Sequence, residues 1–168
     1  MFDEALIAKT QRFLESAEAQ GVRVICAESC TGGLLGALLT HSAGASAVME
    51  ASLVTYSNEA KAALLGVEPS LLARHGAVSP LVAKAMAEGA LERSPEAALS
   101  VSITGIAGPD GGTEHKPVGL VHFACAARAR ETVQLEKRFG EIGRAEVRIK
   151  SAEAALDMLS DGLDRLRG

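Results

Sequence analysis

The sequence predicts an α/β protein in which helices cover both faces of a mixed, mainly parallel β-sheet, as in a three-layer α/β/α sandwich. Apolar runs of strand length alternate with segments whose apolar residues have helical spacing. Two strand-like segments follow each other directly near the C-terminus, which adds an antiparallel part to the sheet. No repeat or linker divides the 168 residues, so we expect a single domain over residues 1–168.

The first half of the chain alternates helices and strands. The first helix has its inner face on one stripe, which is formed by Leu6, Thr10, Phe13, Leu14 and Ala17. Short apolar runs with β-branched members indicate the strands, and Ser57-Asn58 provides a cap for the helix that follows them. In order, the predicted elements are a helix ending at Gly21, a strand over 22–27, a helix over 34–42 closed by Gly44, a strand over 51–56 and a helix over 59–65.

The second half begins with a clear helix start at Ser79-Pro80, since a hydroxyl caps the helix and proline suits its first position. Helical spacing continues through Val82, Ala85, Met86, Gly89 and Ala90. The remaining predicted elements are a strand over 97–103, a pair of strands over 118–126 and 132–139 with a turn near Arg128, and a helix over 144–166.

Composition excludes several classes of partner. The formal net charge is −4 and no Lys/Arg run is present, so the phosphate neutralisation that drives nucleic-acid binding is missing. No signal peptide and no apolar run of membrane-spanning length is visible, which predicts a cytoplasmic protein that binds no membrane. The three cysteines lack zinc-like pairing and fit free thiols in a reducing compartment.

Three segments concentrate residues that chemistry needs, namely residues 28–33, 55–61 and 104–119. Each begins where a predicted strand ends, and ligands in α/β sheets collect beyond the carboxyl ends of strands. The first reads as strand, glycine turn and helix, which sets Ser29 and free backbone N–H groups at a helix N-terminus. From the residues alone, Ser29 is a nucleophile, an anion ligand or an N-cap.

These segments carry a resemblance to the CinA C-terminal domain family over about residues 5–160. The matching stretches are AESCTGG (27–33), VTYSNEAK (54–61), LLGV (64–67), RHGAVS (74–79) and TGIAGPDGGTEHKPVG (104–119). The family includes nicotinamide-nucleotide amidohydrolases, so the resemblance implies hydrolysis of the carboxamide of nicotinamide mononucleotide (NMN) to nicotinic acid mononucleotide and ammonia. It also implies pyridine nucleotide salvage, a homodimer or higher homo-oligomer, and no cofactor.

The resemblance implies that Ser29 is the nucleophile and that Lys61, with or without Tyr56, is its base. A serine hydroxyl needs a base because almost no alkoxide exists at neutral pH. Burial and neighbouring cations can lower a lysine pKa enough for this task. By itself, Lys61 also fits a solvated surface charge, and Tyr56 fits a core residue with its hydroxyl at the surface.

Backbone N–H groups near Ser29 are expected to bind the oxyanion or the substrate phosphate. The residues assigned to substrate binding are Cys30, Thr31, Gly32, Gly33, Thr104, Gly105 and Arg144. Cys30 is also a rival nucleophile, unless its side chain points into the core. Glu28 either positions Ser29 or Lys61 or favours the helix N-terminus electrostatically. Asp110 belongs to a turn or contacts the ligand.

Two arginines lie one helical turn apart near the start of the last helix. The resemblance assigns Arg144 to the substrate phosphate, whereas Arg148 fits a surface or intersubunit salt bridge. The sequence departs from the family at Ile142-Gly143-Arg144, where the pattern is Gly-Asp-Arg, and over residues 46–51. These departures leave room for a non-catalytic nucleotide-binding or competence-associated module, or for an amidase acting on another carboxamide.

The four histidines are scattered along the chain, at positions 41, 75, 115 and 122. They lack the spacing of a metal site, either with each other or with carboxylates. The sequence therefore predicts a hydrolase that uses no metal.

Overall fold

The computed structural model describes residues 2–168 and is built around one five-stranded sheet. The strands are β1 (Val24–Glu28), β2 (Met49–Val54), β3 (Leu99–Gly105), β4 (Leu120–Ala127) and β5 (Val133–Arg138). Their order across the sheet is β2-β1-β3-β4-β5. The β1 strand pairs in parallel with both β2 and β3, whereas β4 is antiparallel to β3 and to β5. Only β4 therefore runs against the others.

Helices cover both faces of this sheet. They are α1 (Glu4–Ala19), α2 (Leu34–Leu39), α3 (Asn58–Leu65), α4 (Pro69–His75), α5 (Pro80–Arg93) and α6 (Arg144–Arg167), with a 3₁₀ turn at Ala45–Ala47. Helices α1, α2 and α6 supply one apolar cluster, and α3, α4 and α5 supply the other. The predicted three-layer α/β/α sandwich with a mixed sheet is confirmed.

The differences from the sequence prediction are local. Helix α2 ends at Leu39 instead of continuing to residue 42, and the Thr40 hydroxyl donates back to the Gly36 carbonyl at 2.7 Å. Helix α4 was not predicted, because this seven-residue helix has a single buried side chain, Leu72, and so lacks a periodic apolar stripe. Strand β2 begins and ends two residues earlier than predicted.

The sheet brings three chain segments to one edge. Glu28, at the end of β1, lies opposite Val54 on β2 and opposite Ile103 on β3. Because the three strands are parallel, the residues that follow them emerge side by side.

None of the helices described between residues 2 and 168 combines the length and apolarity needed to cross a membrane.

Candidate active site

A tight turn follows β1 and carries Ser29. The Ser29 N–H donates to the Ile103 carbonyl of β3 at 2.9 Å, and the Gly32 N–H donates to the Ser29 carbonyl at 3.0 Å. Gly32 and Gly33 have φ angles of +60° and +93°, which glycine adopts without steric cost. The turn thus reverses the chain into α2 while its first residue stays attached to the sheet.

Glu28 secures this turn from below. Its carboxylate is completely buried and accepts hydrogen bonds from the backbone N–H groups of Gly33, Leu35 and Gly36 at 2.8–3.1 Å. The Ser52 hydroxyl donates to it at 2.7 Å. Glu28 therefore accepts from the free N–H groups at the N-terminus of α2, where its negative charge is favoured. Its hydrogen-bond partners do not include Ser29 or Lys61.

Lys61 reaches Ser29 from the neighbouring segment. Ser57 caps α3 by accepting from the Ala60 N–H at 3.0 Å, which places Lys61 in the first turn, directed inward. The Lys61 side chain is 0% exposed, and its Nζ lies 3.0 Å from Ser29 Oγ. Nζ also donates to the Thr55 carbonyl at 2.8 Å and to the Tyr56 carbonyl at 3.4 Å. Lys61 is thus a buried group and not a solvated surface charge.

The surroundings of Lys61 favour its neutral form. Burial lowers the pKa of the Lys61 amine below its ordinary value, and the only opposing influence is a weaker one from Cys30. No carboxylate in the described part of the chain pairs with it. A neutral amine that gives two N–H bonds to the Thr55 and Tyr56 carbonyls keeps its lone pair for the Ser29 hydroxyl. This arrangement suits a base that accepts the serine proton.

An open cavity of about 260 Å³ lies above this pair. Its walls come from the three strand ends, from residues 77–78, from the loop after β3 and from the start of α6. The lining residues are Ser29, Cys30, Tyr56, Lys61, Ala77, Val78, Thr104, Gly105, Ile106, Ala107, Gly108, Asp110, Gly111 and Arg144. The structure therefore brings seven of the ten sequence-predicted site residues together, and Thr31, Gly32 and Gly33 lie outside this wall.

Only part of the predicted set of backbone donors is available. The prediction that the Gly32 N–H serves as a free donor is wrong, because that N–H closes the turn onto the Ser29 carbonyl. The Gly33 N–H is likewise used, by the Glu28 carboxylate. The N–H groups of Cys30 and Thr31 donate to no other residue between positions 2 and 168. These two N–H groups are therefore the candidate oxyanion donors; Cys30 lies on the cavity wall, whereas Thr31 is fully buried.

The Cys30 side chain points into the core. It is 6% exposed and packs in the apolar cluster of α1, α2 and α6. Burial raises the pKa of the Cys30 thiol to about 11, and the nearby Glu28 carboxylate acts in the same direction. Because the thiolate is the nucleophilic form, this cysteine is poorly suited to attack an amide at neutral pH.

Tyr56 and Arg144 meet at the mouth of the cavity. Tyr56 is 61% exposed, so it is not a core residue, and its hydroxyl accepts from Arg144 Nη2 at 3.0 Å. Arg144 Nη1 donates to the Gly108 carbonyl at 2.8 Å. Among the described residues the Tyr56 hydroxyl makes no hydrogen bond to Ser29 or Lys61. The geometry therefore favours Lys61 over Tyr56 as the base.

The end of β3 and the loop after it are held by contacts that the sequence did not indicate. The Thr104 hydroxyl donates to the Ala77 carbonyl at 2.8 Å, and Lys116 Nζ donates to the His75 carbonyl at 2.6 Å. Asp110 lies on the cavity wall and is exposed.

Arg148 also differs from expectation. Within the described residues of this chain Arg148 forms no salt bridge; half-buried, it donates from Nη2 to the Thr31 carbonyl at 2.7 Å, and the intersubunit bridge stays a prediction. The signal that pointed to it was its position one helical turn from Arg144. In residues 2–168 no group of three or more His, Cys, Asp or Glu side chains is arranged to hold a metal ion.

Comparison with known proteins gives the chain a family. A model of the CinA C-terminal domain matches residues 7–163. The chain belongs to the CinA C-terminal domain family.

Solved structures share the fold. The competence/damage inducible protein CihA from Agrobacterium tumefaciens superposes with a TM-score of 0.94 at 45% identity, and the match covers 98% of both chains. Competence damage-inducible protein A from Klebsiella pneumoniae gives a TM-score of 0.88 at 34% identity, covering 95% of this chain and 97% of that one.

Two kinds of CinA relative differ in length. The nicotinamide-nucleotide amidohydrolase PncC of Escherichia coli K12 is 45% identical over 159 residues, which is 95% of each chain. The CinA-like protein of Anaeromyxobacter dehalogenans 2CP-C is 51% identical over 141 residues, 84% of this chain but 34% of that protein. The chain thus spans about a third of the length of the CinA-like proteins that it matches.

Proposed function

We propose that the protein hydrolyses the carboxamide of NMN, giving nicotinic acid mononucleotide and ammonia, in pyridine nucleotide salvage. The observation that carries the proposal is the 3.0 Å contact between Ser29 Oγ and the buried amine of Lys61, at the floor of an open cavity. The full-length similarity to an amidohydrolase named for this substrate supports the choice of reaction.

The proposed reaction proceeds through an acyl-enzyme. Ser29 Oγ attacks the carboxamide carbon while neutral Lys61 takes the hydroxyl proton. The N–H groups of Cys30 and Thr31 stabilise the oxyanion. The C–N bond then breaks and the leaving nitrogen takes the proton from Lys61, so ammonia departs. Water attacks the ester with Lys61 again as the base, which releases the carboxylate and restores Ser29.

The phosphate of NMN is expected to bind at the start of α6. Arg144 lies on the cavity wall and is not paired with a carboxylate in the described part of the chain. The first turn of α6 has no side-chain cap, and its free N–H groups and helix dipole favour an anion there. Since Arg144 also contacts the Tyr56 hydroxyl, binding the phosphate would reorganise the mouth of the cavity around both residues.

The sequence departures do not disturb this arrangement. Residues 46, 49, 50 and 51 line a different groove, between α2 and β2. Gly143, in place of the family's aspartate, precedes α6 and still lets Arg144 reach Gly108 and Tyr56. The alternative, a non-catalytic nucleotide-binding or competence-associated module, is supported by relatives named for competence, such as one from Symbiobacterium thermophilum that is 55% identical over 67% of this chain.

The decisive experiment is ammonia release from NMN with and without EDTA, in parallel with nicotinamide, nicotinamide riboside, NAD and glutamine. We expect turnover of NMN that survives EDTA and that Ser29→Ala removes while thermal unfolding is unchanged. Absence of nicotinic acid mononucleotide rejects the activity, and saturable NMN binding without turnover supports the non-catalytic alternative.

Light scattering of the purified protein tests the homodimer, which stays a prediction.

A further inference from the structure

We propose that Arg148 is a positioning residue for this hydrolysis, acting by holding the backbone turn that presents the oxyanion donors. The inference rests on the proposed function and adds a residue that neither contacts Ser29 nor lines the cavity. Arg148 belongs to α6, and its contact with the turn joins residues that are 117 positions apart in the chain.

The turn depends on few bonds at the point that Arg148 contacts. The Thr31 carbonyl accepts from Arg148 Nη2 at 2.7 Å and, at the longer distance of 3.3 Å, from the Leu34 N–H. The peptide unit is rigid, so fixing the Thr31 carbonyl also fixes the Gly32 N–H, which closes the turn onto the Ser29 carbonyl. Arg148 thus supplies the shortest of the three hydrogen bonds that hold the peptide between Thr31 and Gly32.

The residues after this peptide cannot supply the same rigidity. Gly32 and Gly33 follow in sequence, and both have positive φ angles in a region that glycine enters and leaves freely. Without Arg148, this peptide keeps the Gly32 N–H bond to the Ser29 carbonyl at 3.0 Å and the longer Leu34 bond at 3.3 Å, but it loses its shortest bond and is held less rigidly. The N–H groups of Cys30 and Thr31 belong to the two preceding peptides of the same turn, so a less rigid peptide between Thr31 and Gly32 is expected to position these donors less precisely.

The charge of Arg148 reinforces the effect. Its guanidinium has no carboxylate partner within the described residues, so the positive charge beside the turn is not neutralised. This charge acts on the neighbouring Cys30 thiol. Burial raises the pKa of that thiol to about 11, and the positive charge of Arg148 opposes the rise. Negative charge that develops near the Cys30 N–H is stabilised by the same field.

The test compares Arg148→Met and Arg148→Lys with the wild type and with Lys150→Met. Lys150 is an exposed residue of α6 whose contact is a surface pair with Glu146 at 3.7 Å, so its variant is a matched control. Misplaced catalytic groups typically cost up to about 100-fold. We expect Arg148→Met to lower kcat by about 10- to 100-fold with KM changed by less than about threefold, and Arg148→Lys to recover part of the loss.

A second measurement separates positioning from binding and folding. A fluorophosphonate phosphonylates an activated serine: the Ser29 oxygen bonds to phosphorus, fluoride leaves, the base takes the hydroxyl proton, and the phosphoryl oxygen uses the oxyanion donors without any need for NMN. We expect its rate of labelling Ser29 to fall in Arg148→Met by the same factor as kcat, at temperatures well below thermal unfolding. Unchanged kcat and labelling rates overturn the proposal, and so does a rise in KM alone, which would place Arg148 in substrate binding. If the wild type labels but does not hydrolyse NMN, the function fails and the labelling rates alone test Arg148.

Discussion

Replacing Lys61 by Met tests the role of the amine both in catalysis and in the stability of the fold. The variant keeps most of the apolar stem in its completely buried position but removes the amine. Loss of a general base typically costs 10²–10⁴-fold in rate, and we expect kcat for NMN to fall by about that factor. The bonds to the Thr55 and Tyr56 carbonyls are lost too, at about 0.5–1.5 kcal/mol each.

The pH dependence of unfolding is the sharper part of this prediction. Burial lowers the pKa of Lys61 in the folded protein, so between that pKa and 10.5 the unfolded chain binds more protons than the folded one. Wild-type stability therefore rises with pH across this window, with a slope of up to about 1.4 kcal/mol per pH unit, and Lys61→Met lacks that rise. Below the window both states carry the proton, and the full cost of burying the charge weakens the wild type.

Urea unfolding from pH 6 to 10 measures this difference directly. Lys84→Met is the control, because Lys84 is a partly exposed residue of α5 in a surface pair with Glu88 at 3.8 Å. Subtracting the variant curve from the wild-type curve should leave a rise for Lys61 and a flat line for Lys84. If the wild type and Lys61→Met run parallel over the whole range, Lys61 titrates as an ordinary lysine and is not a neutral base at pH 7.

Three further substitutions test neighbouring residues. Tyr56→Phe should change kcat by less than about fivefold, because the hydroxyl contacts Arg144 and not Ser29; a loss of 10²-fold or more in steady-state kinetics would restore Tyr56 as a base. Cys30→Ser should still release ammonia from NMN and form the Ser29 adduct, seen by mass spectrometry; an inactive but folded variant would contradict this. Glu28→Gln should lower the free energy of unfolding by about 1–3 kcal/mol in urea, because an amide loses the charge that three N–H groups share, and an unchanged midpoint would refute that.

Much of the fold could be predicted because the strands other than β5 are short apolar runs with a glycine, a cap or a polar cluster at the end, and because β5 (VQLEKR) directly follows β4 in the chain. The same rule located Ser29 and Lys61 at one edge, since parallel strands present their carboxyl ends together. Burial of the lysine could not be predicted from composition, because a lysine near the start of a helix usually faces water. The Lys61 side chain points inward because of how α3 packs on the rest of the fold, and this packing is a feature of tertiary structure.

Contacts between distant segments were the least predictable part of the site. The sequence did not show that the Thr31 carbonyl meets Arg148, because that contact depends on how α6 packs on α2. It also left open whether Glu28 serves Ser29 or the helix, and the structure decides this through three backbone N–H groups that the turn directs at the carboxylate. Backbone donors were also hard to assign, because the turn itself uses the Gly32 N–H.

The position of both arginines on α6 has a consequence for refolding. Their bonds to Tyr56 and Thr31 join residues separated by 88 and 117 positions, which are among the longest loops that this chain must close. Refolding that begins with the local β1–α2 and α3 segments would assemble Ser29 and Lys61 before α6 docks. Recovery of amidase activity would then be slower than recovery of the helical circular dichroism signal. The rate at which activity returns would therefore report the rate of the last long-range step of folding.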